Sequence, residues 1–312
     1  MKDRHIVVTG GAGFIGSNIA RDLSRENKVV VFDDLSTGNL ENIRDLIDDE
    51  IITFVEGNVN DLEILNKIFR NIDYVFHQAA IPSVPRSVKD PIKINEANIN
   101  GTLKVLFAAK ENNIKKVIYA SSSSVYGDTP TLPKNEAMKP SPLSPYAVSK
   151  LAGEYYCQVF TEVYRLYTVS LRYFNVYGPH QDPLSKYAAV IPNFIARILD
   201  DKPPIIFGDG FQTRDFTFVK DVVNANILAA ESNAHGIFNI ASGKRISINE
   251  LASLIMDIIG KELDLEYSSP RSGDIKHSLA DISKAKEKLY YNPGFSIEDG
   301  LQETIKWFKK QI

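Results

Sequence analysis

An apolar run, Ile6–Val8, leads straight into Thr9-Gly10-Gly11-Ala12-Gly13-Phe14-Ile15-Gly16, and no other stretch constrains the chain as much. The glycines follow the spacing G-x-x-G-x-x-G, one residue longer in the first gap than G-x-G-x-x-G. Gly10 lets the chain turn tightly out of a strand, and Gly13 lets bare backbone approach a pyrophosphate. Gly16 lets the next helix pack closely on the sheet. N–H groups at the helix start, at Phe14 and Ile15, then face an anion with the positive end of the helix dipole behind them. Glycine-rich turns are common, so the context carries the reading. The pattern follows a strand, opens a helix, and precedes a second strand, Val29–Phe32, that ends at Asp33. An acid roughly 20 residues past such a turn takes ribose hydroxyls. The junction implies a dinucleotide site.

Strands and helices alternate after it. Ile6–Thr9, Val29–Phe32, Ile52–Val55, Tyr74–His77, Val117–Ala120 and Thr168–Arg172 read as strands. Phe14–Arg25, Leu62–Phe69, Ile92–Asn112 and Tyr146–Tyr164 read as helices. This order predicts an α/β fold, a Rossmann-type doubly wound parallel sheet with helices on both faces. Beyond Gly178-Pro179 the alternation breaks, and a smaller C-terminal α/β substrate domain is expected. The expected division gives 1–174, with roughly 216–243 returning to it, to the dinucleotide domain. The smaller domain takes 175–215 and 244–312.

Ligands in such sheets sit at the carboxyl ends of strands, so those ends hold the candidate residues. They read Gly57-Asn58-Val59-Asn60-Asp61, His77-Gln78-Ala79-Ala80, Ser121-Ser122-Ser123-Ser124-Val125-Tyr126-Gly127 and Arg172-Tyr173-Phe174-Asn175. Asp61 reads as a helix N-cap. Tyr146 and Lys150 stand four apart, on one face of a helix and a turn from each other. A cation near a phenol favours the phenolate and draws its pKa toward the range of a general base.

Bulk properties exclude several classes. A net charge of −3 gives no basic footprint for nucleic acid or an acidic membrane surface. No apolar run reaches the roughly 18 residues that span a bilayer. The first strand begins close to Met1, which leaves no room for a signal peptide, so a cytoplasmic protein is expected. The single cysteine, Cys157, reads as core. The five histidines are scattered without metal-ligand spacing, and no metal is expected.

Taken in order, TGGAGFIGS, DDLSTG (33–38), HQAA (77–80), NINGT (98–102), SSSSVYG, YAVSK, RYFNVYGP, Arg214-Asp215 and PRSGDIKHS (270–278) resemble the extended short-chain dehydrogenase/reductase superfamily. Within it the chain resembles the NAD-dependent UDP-sugar 4-epimerases, over essentially its whole length. The resemblance implies that Gly10, Gly13, Phe14 and Ile15 form the pyrophosphate loop and that Asp33 is the adenosine-ribose acid, favouring NAD. Asp34, Leu35, Ser36, Thr37 and Gly38 look like the loop around that ribose. Asn58 and Val59 stand beside the adenine; the family usually has Asp at the first of these, so Asn58 offers an amide without charge. Gln78, Ala79 and Ala80 resemble the wall along the cofactor, Asn98 a contact from the next helix, and Tyr173 a nicotinamide neighbour.

The same resemblance makes Tyr146 the base for the sugar 4-hydroxyl and Lys150 the group that binds the nicotinamide ribose and depresses the phenol pKa. The catalytic serine falls on Ser122, with Ser123 close enough to exchange with it. The related 4,6-dehydratases carry Asp-Glu at the two positions filled here by Ser123-Ser124, so dehydration lacks its carboxylates. Ser83, Val84, Ser122, Tyr146, Phe174, Asn175, Val190, Asn193, Ile206, Phe207, Arg214, Arg271, Asp274 and Ser278 are the implied substrate contacts. Arg214 and Arg271 fit a diphosphate because planar guanidinium groups clamp phosphate oxygens in a fork. A bulky aromatic at the position of Ser278 restricts the family to plain hexoses, and a small residue leaves room for an N-acetyl group. The implied activity is UDP-GlcNAc/UDP-GalNAc interconversion, with UDP-Glc/UDP-Gal as a further pair. Helices near 90–112 and 146–164 resemble the family's homodimer bundle. UDP-glucuronate epimerase, dTDP-sugar reductase or a non-catalytic NAD-binding protein of this superfamily are the alternatives.

Overall fold

The computed structural model describes residues 1–182, 189–270 and 275–311. Six strands fall close to their expected bounds: β1 (His5–Thr9), β2 (Lys28–Asp33), β3 (Ile52–Glu56), β4 (Tyr74–His77), β5 (Lys116–Ser122) and β6 (Tyr167–Tyr173). Among them lie α1 (Phe14–Leu23), α2 (Arg44–Asp48), α3 (Leu62–Ile68), α4 (Val84–Lys89), α5 (Pro91–Asn95), α6 (Gly101–Glu111) and α7 (Pro145–Tyr164). Local chemistry fixes the helix starts. Asp61 accepts from the N–H groups of Glu63 and Ile64, and Ser144 accepts from Ala147 with Pro145 in the first turn of α7.

One expected helix is interrupted. Ile92–Asn112 is not continuous, because a π-helical turn, Glu96–Asn100, separates α5 from α6. The wider turn carries Asn98, whose side chain accepts from Ile81 N–H at 2.8 Å and donates to Ile81 C=O at 3.3 Å and Ser149 Oγ at 3.0 Å. Such turns insert one residue into a helix, and here the inserted geometry joins the loop after β4 to α7.

The second half is built of shorter pieces: β7 (Val176–Tyr177), α8 (Val190–Leu199), β8 (Ile205–Phe207), β9 (Thr213–Arg214), β10 (Thr217–Phe218), α9 (Val219–Glu231), β11 (Gly236–Ile240), β12 (Ile246–Ser247), α10 (Ile248–Ile259), β13 (Glu266–Ser268), α11 (Ser283–Leu289) and α12 (Ile297–Phe308). Helix α9 begins ahead of Asp221. The Asp221 carboxylate instead accepts from Gly294 N–H at 2.8 Å, pinning the segment that leads to α12.

Seven strands form one sheet in the order β11-β6-β5-β4-β1-β2-β3, and every pair is parallel. The order reverses between β1 and β4, and the crevice beyond their carboxyl ends is where such sheets bind ligands. Strand alternation supplies a core on each face: Ile6 and Val8 point into one apolar cluster, Val7 into the other. A third cluster gathers Tyr177, Phe194, Ile206, Phe218, Leu251, Leu301, Ile305 and Phe308. Residues Ala280, Ile282, Ala285, Leu289 and Tyr291 join the first cluster. Among the described residues no helix is long and apolar enough to cross a membrane.

Candidate active site

A cleft of about 1360 Å³ opens at the carboxyl edge of the sheet. Gly10 makes it possible: at φ 69°, a Cβ there would stand 2.5 Å from the backbone nitrogen of Ala79. Only a glycine lets the ends of β1 and β4 lie that close. At Gly16 the close approach is to the glycine loop itself, since a Cβ would meet the Gly10 carbonyl oxygen at 2.1 Å. Helix α1 has no side-chain cap, so its first-turn N–H groups have no side-chain acceptor.

Gly10, Gly13, Phe14, Ile15, Asp33, Asp34, Ser36, Thr37, Gly38, Asn58, Val59, Gln78, Ala79, Ala80, Tyr146, Lys150 and Tyr173 all line this cleft. Leu35 and Asn98 do not. Leu35 packs its side chain against the first core cluster and offers only its N–H, to Asp33 Oδ1 at 2.9 Å. Asn98 is 1% exposed and engaged with Ile81 and Ser149, so it shapes the wall from behind.

Asp33 accepts from Ala12 N–H as well, also at 2.9 Å. Burial raises its pKa, against which the Leu35 and Ala12 N–H groups hold it down. Asn58 donates to Asp34 Oδ2 at 2.6 Å, and its own oxygen accepts from Asn60 N–H at 2.9 Å. A carboxylate at position 58 would face that of Asp34 at the same distance, so the neutral amide fits its neighbour. On the other side, Tyr173 donates to Gln78 Oε1 at 3.2 Å, and Asn226 of α9 donates to the Tyr173 oxygen at 2.9 Å.

Tyr146 is half-buried, and the Ser122 hydroxyl stands near enough to its phenol to favour the ionised form. Between the two candidate serines, the geometry brings Ser122 and not Ser123 to the phenol; Ser123 enters the short helical turn that follows β5. Lys150 Nζ donates to the Ala120 carbonyl at 2.8 Å and stands 6.0 Å from the Tyr146 ring centre. Burial lowers its pKa to about 8. The expected depression of the phenol is absent from this fold. Burial raises the Tyr146 pKa and the Ser122 hydroxyl opposes it, while the Lys150 ammonium group bonds the Ala120 carbonyl and not the phenol oxygen.

A second cavity of about 260 Å³ lies between α8, β8 and the start of α10. Asn175, Val190, Asn193, Phe207 and Arg214 line it, and Asn193 lines the large cleft too. Two implied contacts are corrected. Phe174 is fully buried and packs on Tyr126 with ring centres 6.2 Å apart. Ile206 is also fully buried: residues alternate along β8, so Ile205 and Phe207 face the cavity while Ile206 enters the core. Arg214 is held by backbone, its Nη1 donating to Thr213 C=O at 2.9 Å and Lys276 C=O at 3.3 Å. Ser83 and Val84 open α4, where Ser83 accepts from Arg86 N–H at 3.2 Å; their neighbours Ile81 and Pro82 line the cleft in their place. Ser278 lines neither cavity, and its N–H donates to Thr213 C=O at 3.0 Å. Arg271 and Asp274 lie outside the described residues.

Several lining residues escaped the sequence reading. Gln212, whose Nε2 donates to Phe207 C=O at 2.7 Å, belongs to a stretch that reads only as a turn. Phe216 and Ile248 line the smaller cavity as members of the third apolar cluster. Asn226 had a signal, a polar residue on the apolar face of α9.

Three similarities bear on these cavities. The chain is 48% identical to the UDP-N-acetylglucosamine 4-epimerase from Methanobrevibacter ruminantium in complex with UDP-N-acetylmuramic acid, with a TM-score of 0.97 and 100% of each chain covered. It is 36% identical, at a TM-score of 0.91, to the Bacillus cereus UDP-glucuronic acid 4-epimerase in complex with UDP-glucuronic acid and NAD, over 99% of this chain and 100% of that one. A UDP-glucose 4-epimerase of Mycolicibacterium smegmatis is 37% identical over 309 residues, 98% of each chain. The NAD dependent epimerase/dehydratase family matches residues 6–241. With three quarters of its length matched and its glycine loop, ribose acid and Tyr-Lys pair gathered in one cleft, the chain belongs to the NAD dependent epimerase/dehydratase family.

Proposed function

We propose that this protein is a UDP-sugar 4-epimerase whose main substrates are UDP-N-acetylglucosamine and UDP-N-acetylgalactosamine, with UDP-glucose and UDP-galactose as a second pair. The observation that carries the reading is the gathering of Tyr146 and Lys150 on the wall of the large cleft, with Ser122 beside the phenol. The choice of an N-acetylated sugar is supported by the 48% identical 4-epimerase, named for one.

The large cleft fits NAD. Uncapped N–H groups of α1 suit a pyrophosphate, and Asp33 suits ribose hydroxyls while repelling a 2′-phosphate. When bound, NAD supplies the hydride acceptor at C4 of the sugar and then the donor, so the reaction has no net redox change. Tyr146 exchanges the proton of the 4-hydroxyl, with Ser122 hydrogen-bonded to both oxygens. Lys150 keeps a positive charge below about pH 8 and holds the ribose. Phe207 lines the base, Asn175 and Arg214 meet the diphosphate, and Arg214 enters pre-positioned by its backbone acceptors. The placed proton acceptor is worth about 10²–10⁴-fold, and positioning of the sugar against it adds to that.

Two organisational readings accompany this one. The chain divides into the dinucleotide domain and the smaller sugar-nucleotide domain, with 280–291 packed on the former. It forms a homodimer through the helices near 90–112 and 146–164, which are α5, α6 and α7. Val148, Tyr155, Val159 and Val163 make one exposed apolar stripe on α7, flanked by Val88, Ile92 and Phe107.

The test is proton NMR of purified protein, without added NAD, given UDP-GlcNAc and separately UDP-Glc. Appearance of UDP-GalNAc is expected. Conversion of UDP-Glc alone overturns the sugar assignment, and conversion of neither after NAD is supplied overturns the activity.

A further inference from the structure

One turn beyond Lys150 stands a glutamate that the chemistry above does not use. Glu154 and Arg172 of β6 are each 1% exposed. Arg172 Nε donates to Glu154 Oε1 at 2.8 Å and Nη2 to Oε2 at 2.7 Å, a bidentate fork. The guanidinium carbon also lies 4.7 Å from the centre of the Tyr126 ring, whose hydroxyl donates to Asn239 at 2.7 Å. Glu154 Oε1 accepts a further hydrogen bond from Ser121 Oγ, at the end of β5.

The spacing of these contacts is informative. Tyr146, Lys150 and Glu154 recur every four residues along one face of α7. They face three consecutive residues of β5: Lys150 donates to the Ala120 carbonyl, Glu154 accepts from the Ser121 hydroxyl, and Tyr146 stands beside the Ser122 hydroxyl. Gly153 brings the helix this close, since a Cβ there would stand 2.2 Å from the Tyr119 hydroxyl. Ser121 shares its strand face with Tyr119. A slip of α7 along β5 would therefore break all three contacts together.

We propose that Glu154, clamped by Arg172, is the positioning residue that fixes α7 against the end of β5 and so sets the Tyr146–Ser122 contact. The proposal deepens the epimerase reading, resting on Tyr146 as its reacting group. Truncating one partner leaves a buried unpaired charge, whereas exchanging both for apolar residues of similar volume is often tolerated. The experiment therefore compares wild type, Glu154→Leu with Arg172→Met, and Ser121→Ala, as NAD-loaded full-length protein carrying 13C at tyrosine Cζ. Tyr146→Phe assigns the Tyr146 signal. In the double variant, the Tyr146 titration midpoint is expected to move by about half a pH unit or more, and kcat to fall about tenfold or more with KM within about twofold. Ser121→Ala gives the same changes in smaller measure. If the folded double variant keeps the wild-type titration and kcat, or if Ser121→Ala does so when the double variant fails to fold, the pair is structural only and the proposal is overturned. The titration reads the register without any sugar, so a wild type that converts no UDP-sugar counts against the epimerase reading and not against this one.

Discussion

The two cavities meet at Asn193 but are built differently. The large cleft rests on the ends of parallel strands four to seven residues long, all of them but the edge strand β3 fixed by ladders on both sides. The small cavity is framed by three-residue β8, two-residue β9 and loops held by side chain to backbone bonds, such as Gln212 to Phe207. Where regular ladders set the wall, residue spacing alone predicts which side chains face the ligand. Where single hydrogen bonds set it, spacing predicts little.

That contrast can be broken or sharpened by substitution. Tyr146→Phe, on the large cleft, is expected to reduce kcat by about 10²–10⁴-fold. NAD released on denaturation should stay stoichiometric with protein, because the ring remains. Near-normal turnover would remove Tyr146 from the chemistry. Arg214→Met, on the small cavity, loses a charge-assisted contact worth about 1.5–3 kcal/mol. It should raise KM about 10–100-fold with kcat within about threefold, as measured by initial rates over a range of UDP-sugar concentrations. A fall in kcat alone would erase the distinction between the cavities. Ser278→Tyr is expected to lower kcat/KM for UDP-GlcNAc about tenfold relative to UDP-Glc, in paired assays. An unchanged ratio would place Ser278 away from the sugar, in keeping with its absence from both linings.

A further prediction concerns stability under the large sheet. His77 is fully buried between Thr9 Oγ1 at 2.7 Å and Thr102 Oγ1 at 3.0 Å. Burial first, and the Lys150 charge second, push its pKa down to about 3 from 6.5. Between those values the unfolded chain binds the extra proton and the folded one does not. Stability is therefore lost as pH falls through this window, by about 1.4 kcal/mol per pH unit at most. Urea unfolding of wild type and His77→Gln at several pH values should show a shallower dependence in the variant. Identical slopes would exclude this histidine as the source.

The legible part of the molecule follows the same division. The glycine loop, Asp33 and the Tyr146–Lys150 pair were readable because a strand ending in glycine, or a four-residue step on a helix, fixes where a side chain points. Phe174 and Ile206 were misread because family position does not report strand parity at the end of β6 or within β8. The unbroken helix over 92–112 was misread because local sequence does not report the wide turn, which is imposed by what Asn98 holds on β4's loop and α7. The phenol's electrostatics were misread for a tertiary reason: sequence shows that Lys150 is near Tyr146, not how far burial raises the phenol pKa.

The π-helical turn at Glu96–Asn100 has a consequence for length variation in this chain. Successive helix residues are rotated by about 100°, so removing one residue there would restore a regular helix only by swinging α5 about 100° around the axis of α6. Ile92, 72% exposed, would leave its side of the molecule, and the three-point grip of Asn98 would be lost. Insertions and deletions should therefore be tolerated in the loops on either side of this segment and refused within it.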